Sequence, residues 1–232
     1  MNLLLSMRPT WIFDLDNTLH DADAYIFPHL SRTMQRYIEV HLHMDGDAAR
    51  ALRQHYWQRY GATLLGLMRH HRTDPHHFLR ETHVFPDLKR MVVFQPAVKA
   101  MLRRLPGRKI LYSNSPAHYA GAILEITGMA PLFDAVYSVE STRFQPKPSP
   151  AGLRLLLKAE KLNPRHAIMV EDHLDNLITA KRLGLQTVWV NPGIRRPIGV
   201  DVRVTSVLAL PAALRCLSFY GSKRSIFADS CL

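Results

Sequence analysis

Two aspartates separated by one leucine, Asp14 and Asp16, close the run Trp11, Ile12, Phe13 in "WIFDLDNTLH". Three bulky apolar residues in succession read as a strand buried on both faces, and carboxylates at its end cost free energy to bury unless a cation meets them. Three other segments end in the same way. Ser113 and Asn114 follow "KILY", Glu171 and Asp172 follow "AIMV", and Lys147 stands in "QPKPSP" just ahead of a helix. Such groups contribute little to packing and make sense together as one site. Their types fit chemistry on a phosphate ester. The ester's negative charge repels an attacking carboxylate, so an aspartate nucleophile needs a divalent cation and a fixed ammonium to hold the phosphoryl oxygens. Magnesium takes hard oxygen ligands and keeps several waters, which makes Asp14, the backbone carbonyl of Asp16 and Asp172, with or without Glu171, the expected ligands. Ser113 and Asn114 are expected to donate hydrogen bonds to phosphoryl oxygens, and Lys147 to neutralise them while orienting the nucleophile.

The elements that must position these groups follow from periodicity. From residue 96 onward helices and strands alternate: "PAVKAMLRRL", "PAHYAGAILEITG", "SPAGLRLLLKAEKL" and "DNLITAKRLG" as helices, and "KILYSN", "AVYSV", "AIMVED" and "QTVWV" as strands. That alternation is the signature of a parallel sheet covered on both faces. The strand before Asp14 belongs to the same sheet, and the ends of parallel strands lie along one edge, where ligands bind at the switch of strand order. Between them, residues 21–95 show helical spacing and almost no strand alternation. Ile26, Leu30, Met34, Ile38 and Leu42 recur every four residues, "DAARALRQHYWQRY" carries Leu52, Tyr56 and Tyr60 on one stripe, and "LLGLMRHH" and "DPHHFLRETHV" are shorter helices, the last opened by Asp74 as cap and Pro75 at its first position. The expected fold is therefore α/β: a doubly wound parallel sheet over residues 8–20 and 96–215, an all-helical insertion over 21–95, and a loosely attached tail over 216–232.

Taken together, the segments identify the chain as resembling the haloacid dehalogenase superfamily of phosphohydrolases. "DLDNT" matches the first superfamily motif, Ser113 the second, Lys147 the third and "VEDHLDN" the fourth, and the resemblance covers about residues 11–205. It implies a Rossmann-like core with a helical cap, with Asp14 as the nucleophile that forms an aspartyl-phosphate. It also implies Asp16 as the acid that protonates the leaving oxygen and then the base that activates water. The dehalogenases themselves lack an acid two positions after the nucleophile, since halide leaves without a proton; Asp16 favours phosphate chemistry. Asn176 departs from the pattern, standing where many relatives carry another aspartate.

The cap must read the leaving group. Ten of the thirteen histidines lie between residues 20 and 95, among them His70, His71, His76 and His77. The segment "YGATLLGLMRHHRTDPHHFL" resembles the cap of the pyrimidine 5′-nucleotidase branch, which implies UMP- or CMP-type nucleotides as substrates. A phosphatase for phosphoglycolate or a sugar phosphate is the first alternative. Arg69 and Arg72 could approach a substrate, and Tyr56, Trp57 and Tyr60 could stack on a base, although an exposed helix face and a helix core explain the same residues.

Composition bounds the rest. A chain of 232 residues with 47% apolar content carries a sizeable core. The N-terminal "MNLLLSMRPTW" is too short for a signal-peptide core and no segment reaches membrane-spanning length, so a cytoplasmic location is expected. Cys216 and Cys231 have neither metal-ligand spacing nor a nucleophile's neighbours. The net charge of +11 is concentrated late in the chain, with no stripe of Arg and Lys interleaved with aromatics, so a solvated basic surface is expected rather than nucleic-acid binding. A noncatalytic nucleic-acid-binding protein is the alternative from another class. Nothing in the residues sets an oligomeric state. Asp14→Asn, which keeps the side chain's shape and removes its charge, is expected to abolish orthophosphate release from every ester in a substrate panel.

Overall fold

The computed structural model describes residues 9–193, 197–213 and 217. Its centre is a parallel sheet of β1 (Thr10–Phe13), β2 (Arg108–Tyr112), β3 (Ala135–Tyr137), β4 (Ala167–Glu171), β5 (Gln186–Val190) and β6 (Val202–Val204), in the order β3-β2-β1-β4-β5-β6. This is the α/β doubly wound arrangement expected. β1 lies in the middle, with Ile12 opposite Ile110 on one side and Met169 on the other.

Side chains on successive strand residues point to opposite faces, and the core divides accordingly. Trp11 and Phe13 join Leu111, Val170 and Val188 on one face, under α6 (Pro96–Arg104) and α7 (Ala117–Ile126), which bring Val98, Met101, Leu102, Tyr119, Ile123 and Leu124. Ile12 joins Ile110 and Met169 on the other, under α8 (Pro150–Ala159) and α9 (Leu174–Arg182), which bring Leu153, Leu156, Leu157, Leu177 and Ala180. With both faces covered, β1 has no exposed position, which is why its sequence is a continuous apolar run.

Between β1 and α6 come α1 (Ile26–Leu42), α2 (Gly46–Tyr60), α3 (Thr63–His71), α4 (Pro75–Thr82) and α5 (Leu88–Met91). The four-residue spacing read in α1 is its buried face: Ile26, Leu30 and Ile38 are buried, and Met34 and Leu42 are partly buried. Asp74 caps α4 by accepting the His76 N–H, with Pro75 at the first position. The helices share an apolar cluster of Tyr37, Ile38, Ala49, Tyr56, Leu64, Leu67, Phe78 and Leu79, and it also takes in Val139 from the segment after β3. α1 joins this cluster to the sheet core, because Ile26 and Leu30 sit in the latter. The chain enters and leaves the helical layer side by side: the Asp21 N–H donates to the Val93 carbonyl at 2.8 Å in an antiparallel bridge.

The spacing rules do not reveal β6 or α5. β6 is a three-residue edge strand in which Val202 and Val204 face the core, while the Arg203 guanidinium donates to the carbonyls of Asn191 and Gly193. α5 has four residues and no buried position, too short for a period. The expected tail over 216–232 falls outside the described residues apart from Leu217, as do both cysteines. Among the described residues no helix is long and apolar enough to cross a membrane.

Gly66 of α3 allows the closest approach within the helical layer: a Cβ there would stand 2.1 Å from Cγ of Tyr56 and 2.6 Å from its Cβ. In an open helix Gly→Ala gains about 1 kcal/mol, whereas overpacking a filled site costs about 1–3 kcal/mol. Gly66→Ala is therefore expected to lower the denaturant midpoint with an unchanged m value, despite the better helix former.

Candidate active site

The strand order reverses at β1, so the crevice beyond the C-terminal ends of β1 and β4 is open for a ligand. Asp14 is the first residue past β1 and its backbone N–H donates to the Val170 carbonyl at 3.0 Å. Glu171 ends β4 and Asp172 follows it. The sequence-predicted residues from all four segments meet here.

Lys147 is the hub. Its ammonium is buried and donates to Asp14 Oδ1 at 2.5 Å, to Glu171 Oε2 at 2.8 Å and to the Tyr112 carbonyl at 2.9 Å, which uses all three hydrogens. Burial opposes its charge, but Asp14 and Glu171 outweigh that and hold the ammonium well above the usual lysine range. Asn114 positions the lysine from behind. Its Oδ1 accepts the Lys147 N–H at 2.7 Å and its Nδ2 donates to the Lys147 carbonyl at 3.0 Å, a two-point clamp that leaves one amide hydrogen for another acceptor. Ser113 is buried, and its oxygen accepts the Ser115 N–H at 3.0 Å, with the hydroxyl proton still available to donate.

Asp14, Glu171 and Asp172 each offer an oxygen within 4.8 Å of the others. Three carboxylates against one ammonium leave surplus negative charge in a buried place. Burial, then the Glu171 charge, pushes Asp14 up to about 7; burial, then its hydrogen bond with Glu171, pushes Asp172 up to about 9. Burial also acts on Glu171, but Lys147 overcomes it and holds that carboxylate below its ordinary range. Both Glu171 oxygens are occupied, one by Lys147 and the other by the N–H groups of Asp172 and His173. Hard oxygen donors in charge excess are the donor set that a divalent cation such as magnesium fits.

Asp16 lies in a different setting, although it is two residues away. Its Oδ1 accepts from the Tyr119 hydroxyl at 2.7 Å and from His20 Nε2 at 3.0 Å, and its Oδ2 accepts from the Ser115 hydroxyl at 2.9 Å. Burial works against the charge, yet the bonds from His20, Tyr119 and Ser115 win and lower this carboxyl below its usual value. His20, Ser115 and Tyr119 were not legible as site residues. The signal for Ser115 is the second serine of "SNS"; Tyr119 sits at an ordinary apolar position of α7 and gives none. Thr18 adds a bond of 3.3 Å to Asp14 Oδ2.

One turn of the helical layer packs directly on the segment that carries Lys147. Gly61, in the left-handed conformation at φ 77°, ends α2, and a Cβ there would lie 2.5 Å from Cδ of Pro148 and 3.2 Å from the Lys147 carbonyl. Several of the aromatic and basic residues singled out in the layer pair with one another. Tyr56 is buried with its hydroxyl 2.9 Å from His71 Nε2, the Tyr60 hydroxyl lies 2.7 Å from His70 Nε2, and the Arg69 guanidinium covers the Tyr60 ring. Trp57 is exposed, and Arg72 is the left-handed C-cap of α3. His76 meets the Phe144 ring edge-on.

The sequence profile of the haloacid dehalogenase-like hydrolases matches residues 10–184. Phosphate metabolism protein 8 of Saccharomyces cerevisiae is 24% identical over 193 residues, 77% of this chain and 60% of its own. A phosphoglycolate phosphatase of Rhodospirillum rubrum is 35% identical over 118 residues, 49% of this chain and 48% of its own. The chain thus spans about half to three fifths of the length of these two relatives. Among solved structures, a phosphatase from Thermococcus onnurineus superposes with a TM-score of 0.63 at 19% identity, covering 89% of this chain and 97% of that one, a likeness of fold.

A cation that joins the carboxylates stabilises the folded protein by mass action, about 2.7 kcal/mol at a hundredfold excess over its dissociation constant. Added magnesium is expected to raise the thermal midpoint of the wild-type protein, and Asp172→Asn to lose most of that rise in a scan at fixed pH.

Proposed function

Because the chain belongs to the haloacid dehalogenase-like hydrolases, we propose that it is a magnesium-dependent phosphomonoesterase working through an aspartyl-phosphate. The observation that carries this reading is the buried Lys147 ammonium between Asp14 and Glu171, with Asp172 beside them and Asp16 two residues on. An Asp14 oxygen attacks phosphorus, and the ester P–O bond breaks with its electron pair on the leaving oxygen, which takes a proton from Asp16. Asp16, now a carboxylate, takes a proton from water as that water attacks phosphorus; the P–O bond to Asp14 breaks, giving orthophosphate and the free carboxylate. Lys147 neutralises phosphoryl oxygens and holds Asp14 in line, and Ser113 and the remaining Asn114 hydrogen donate to them. Bound magnesium, held by Asp14, the Asp16 carbonyl and Asp172, supplies positive charge for the transferring group. With both of its oxygens taken, Glu171 serves as the anchor of Lys147.

In this reading residues 21–95 are the cap. The Gly61 turn on Pro148 supports it, since the layer meets the core on the very segment that carries the lysine. For the leaving group, the "YGATLLGLMRHHRTDPHHFL" segment supports a pyrimidine nucleoside 5′-monophosphate. A second reading, phosphoglycolate, is favoured by the Rhodospirillum rubrum relative, a protein named for that substrate.

A panel of UMP, CMP, phosphoglycolate and sugar phosphates, assayed with magnesium and with a chelator, tests both levels. Orthophosphate release confined to the magnesium arm and highest on UMP and CMP is the expected result. Turnover of phosphoglycolate alone replaces the nucleotide reading, and equal release after chelation overturns the metal-dependent mechanism.

A further inference from the structure

The two oxygens of Asp16 are not equivalent. Oδ1 receives two donors fixed by the fold, the Tyr119 hydroxyl and His20 Nε2, whereas among the described residues Oδ2 receives only the Ser115 hydroxyl, which rotates about its own C–O bond and accepts as readily as it donates. Tyr119 is well placed for this. It lies on α7, 103 residues from Asp16 in sequence; its ring is buried against Phe85 at 5.4 Å and His83 at 6.0 Å, and its hydroxyl, the side chain's only polar atom, makes that one bond. α7 is also secured by Ala120, Ile123 and Leu124 in the same apolar cluster.

We propose that Tyr119 is a positioning residue for Asp16: by pinning Oδ1 together with His20, it turns Oδ2 toward the reacting centre as the oxygen that passes the proton to the leaving group. The inference rests on the phosphomonoesterase reading and deepens it. The step is the one already balanced: as the ester P–O bond breaks, the O–H bond at Asp16 Oδ2 breaks toward the leaving oxygen, with the electron pair staying on Oδ2. Without the Tyr119 hydroxyl the carboxyl swings about its Cβ–Cγ bond, and protonation of the leaving oxygen suffers while attack by Asp14 does not.

Esters that differ in their need for a proton separate this role from a structural one. An alkoxide departs badly unless protonated, whereas p-nitrophenolate departs unaided. kcat/KM reports formation of the aspartyl-phosphate, the first irreversible step, for both. Tyr119→Phe keeps the ring between Phe85 and His83 and removes one hydroxyl. Its kcat/KM is expected to fall about tenfold or more on an alkyl phosphate such as UMP, part of the 10²–10⁴ that general acids supply. On p-nitrophenyl phosphate it is expected to stay within about twofold, and Asp16→Asn is expected to show the same split more strongly. Ser115→Ala, which frees Oδ2 of its one partner, is expected to show the split in milder form and serves if Tyr119→Phe does not fold. An equal fall on both esters, or no fall on either, overturns the inference alone. If the wild type turns over phosphoglycolate and not UMP, phosphoglycolate serves as the alkyl ester; wild-type inactivity on every ester of the panel defeats the phosphomonoesterase reading and takes the inference with it.

Discussion

One ammonium buried among carboxylates governs the arrangement of the rest. Lys147 receives a partner from the end of each central strand: the Tyr112 carbonyl from β2, Asp14 from β1 and Glu171 from β4. Those strands must therefore be neighbours, as they are in the order β2-β1-β4. Stripping one partner from a buried ion pair costs about 3–5 kcal/mol, because the remaining charge has no water to turn to. The lysine thus links the position of a loop between β3 and α8 to the register of the sheet, and Asn114 fixes that loop's backbone at the same residue.

Charge then divides the site into two compartments. Around Lys147, acid groups outnumber the base, and burial holds Asp14 and Asp172 toward their neutral forms. Around Asp16, hydrogen bonds from His20, Tyr119 and Ser115 converge on a single carboxylate and favour its ionised form. Two aspartates separated by one leucine therefore live under opposite electrostatic pressures, set by which strand end or helix each side chain faces.

Much of this was legible in the residues because their roles impose visible patterns. The apolar run Trp11–Phe13 announced a strand covered on both faces, and polar residues at four strand or helix ends announced a shared edge. The spacing in α1 and the Asp74–Pro75 start of α4 matched the helices found. What escaped notice did so for physical reasons. β6 is an edge of three residues with an arginine at its centre, and α5 is a single turn with no fully buried residue. Tyr119 looks like any core aromatic, since only its ring shapes the pattern while its hydroxyl does the polar work. Asn114 was expected to face a phosphoryl group, and the structure shows half of its hydrogen-bonding capacity spent on the lysine backbone, a partner 33 residues away that no local spacing reveals.

The bridge between Asp21 and Val93 brings the two ends of the helical layer together beside β1. The layer is thus a side branch on a single stem, and no register pair of the sheet runs through it. Its outer helices can change in length and number without shifting a strand pair, whereas α1, whose Ile26 and Leu30 lie in the sheet core, is tied to the strands.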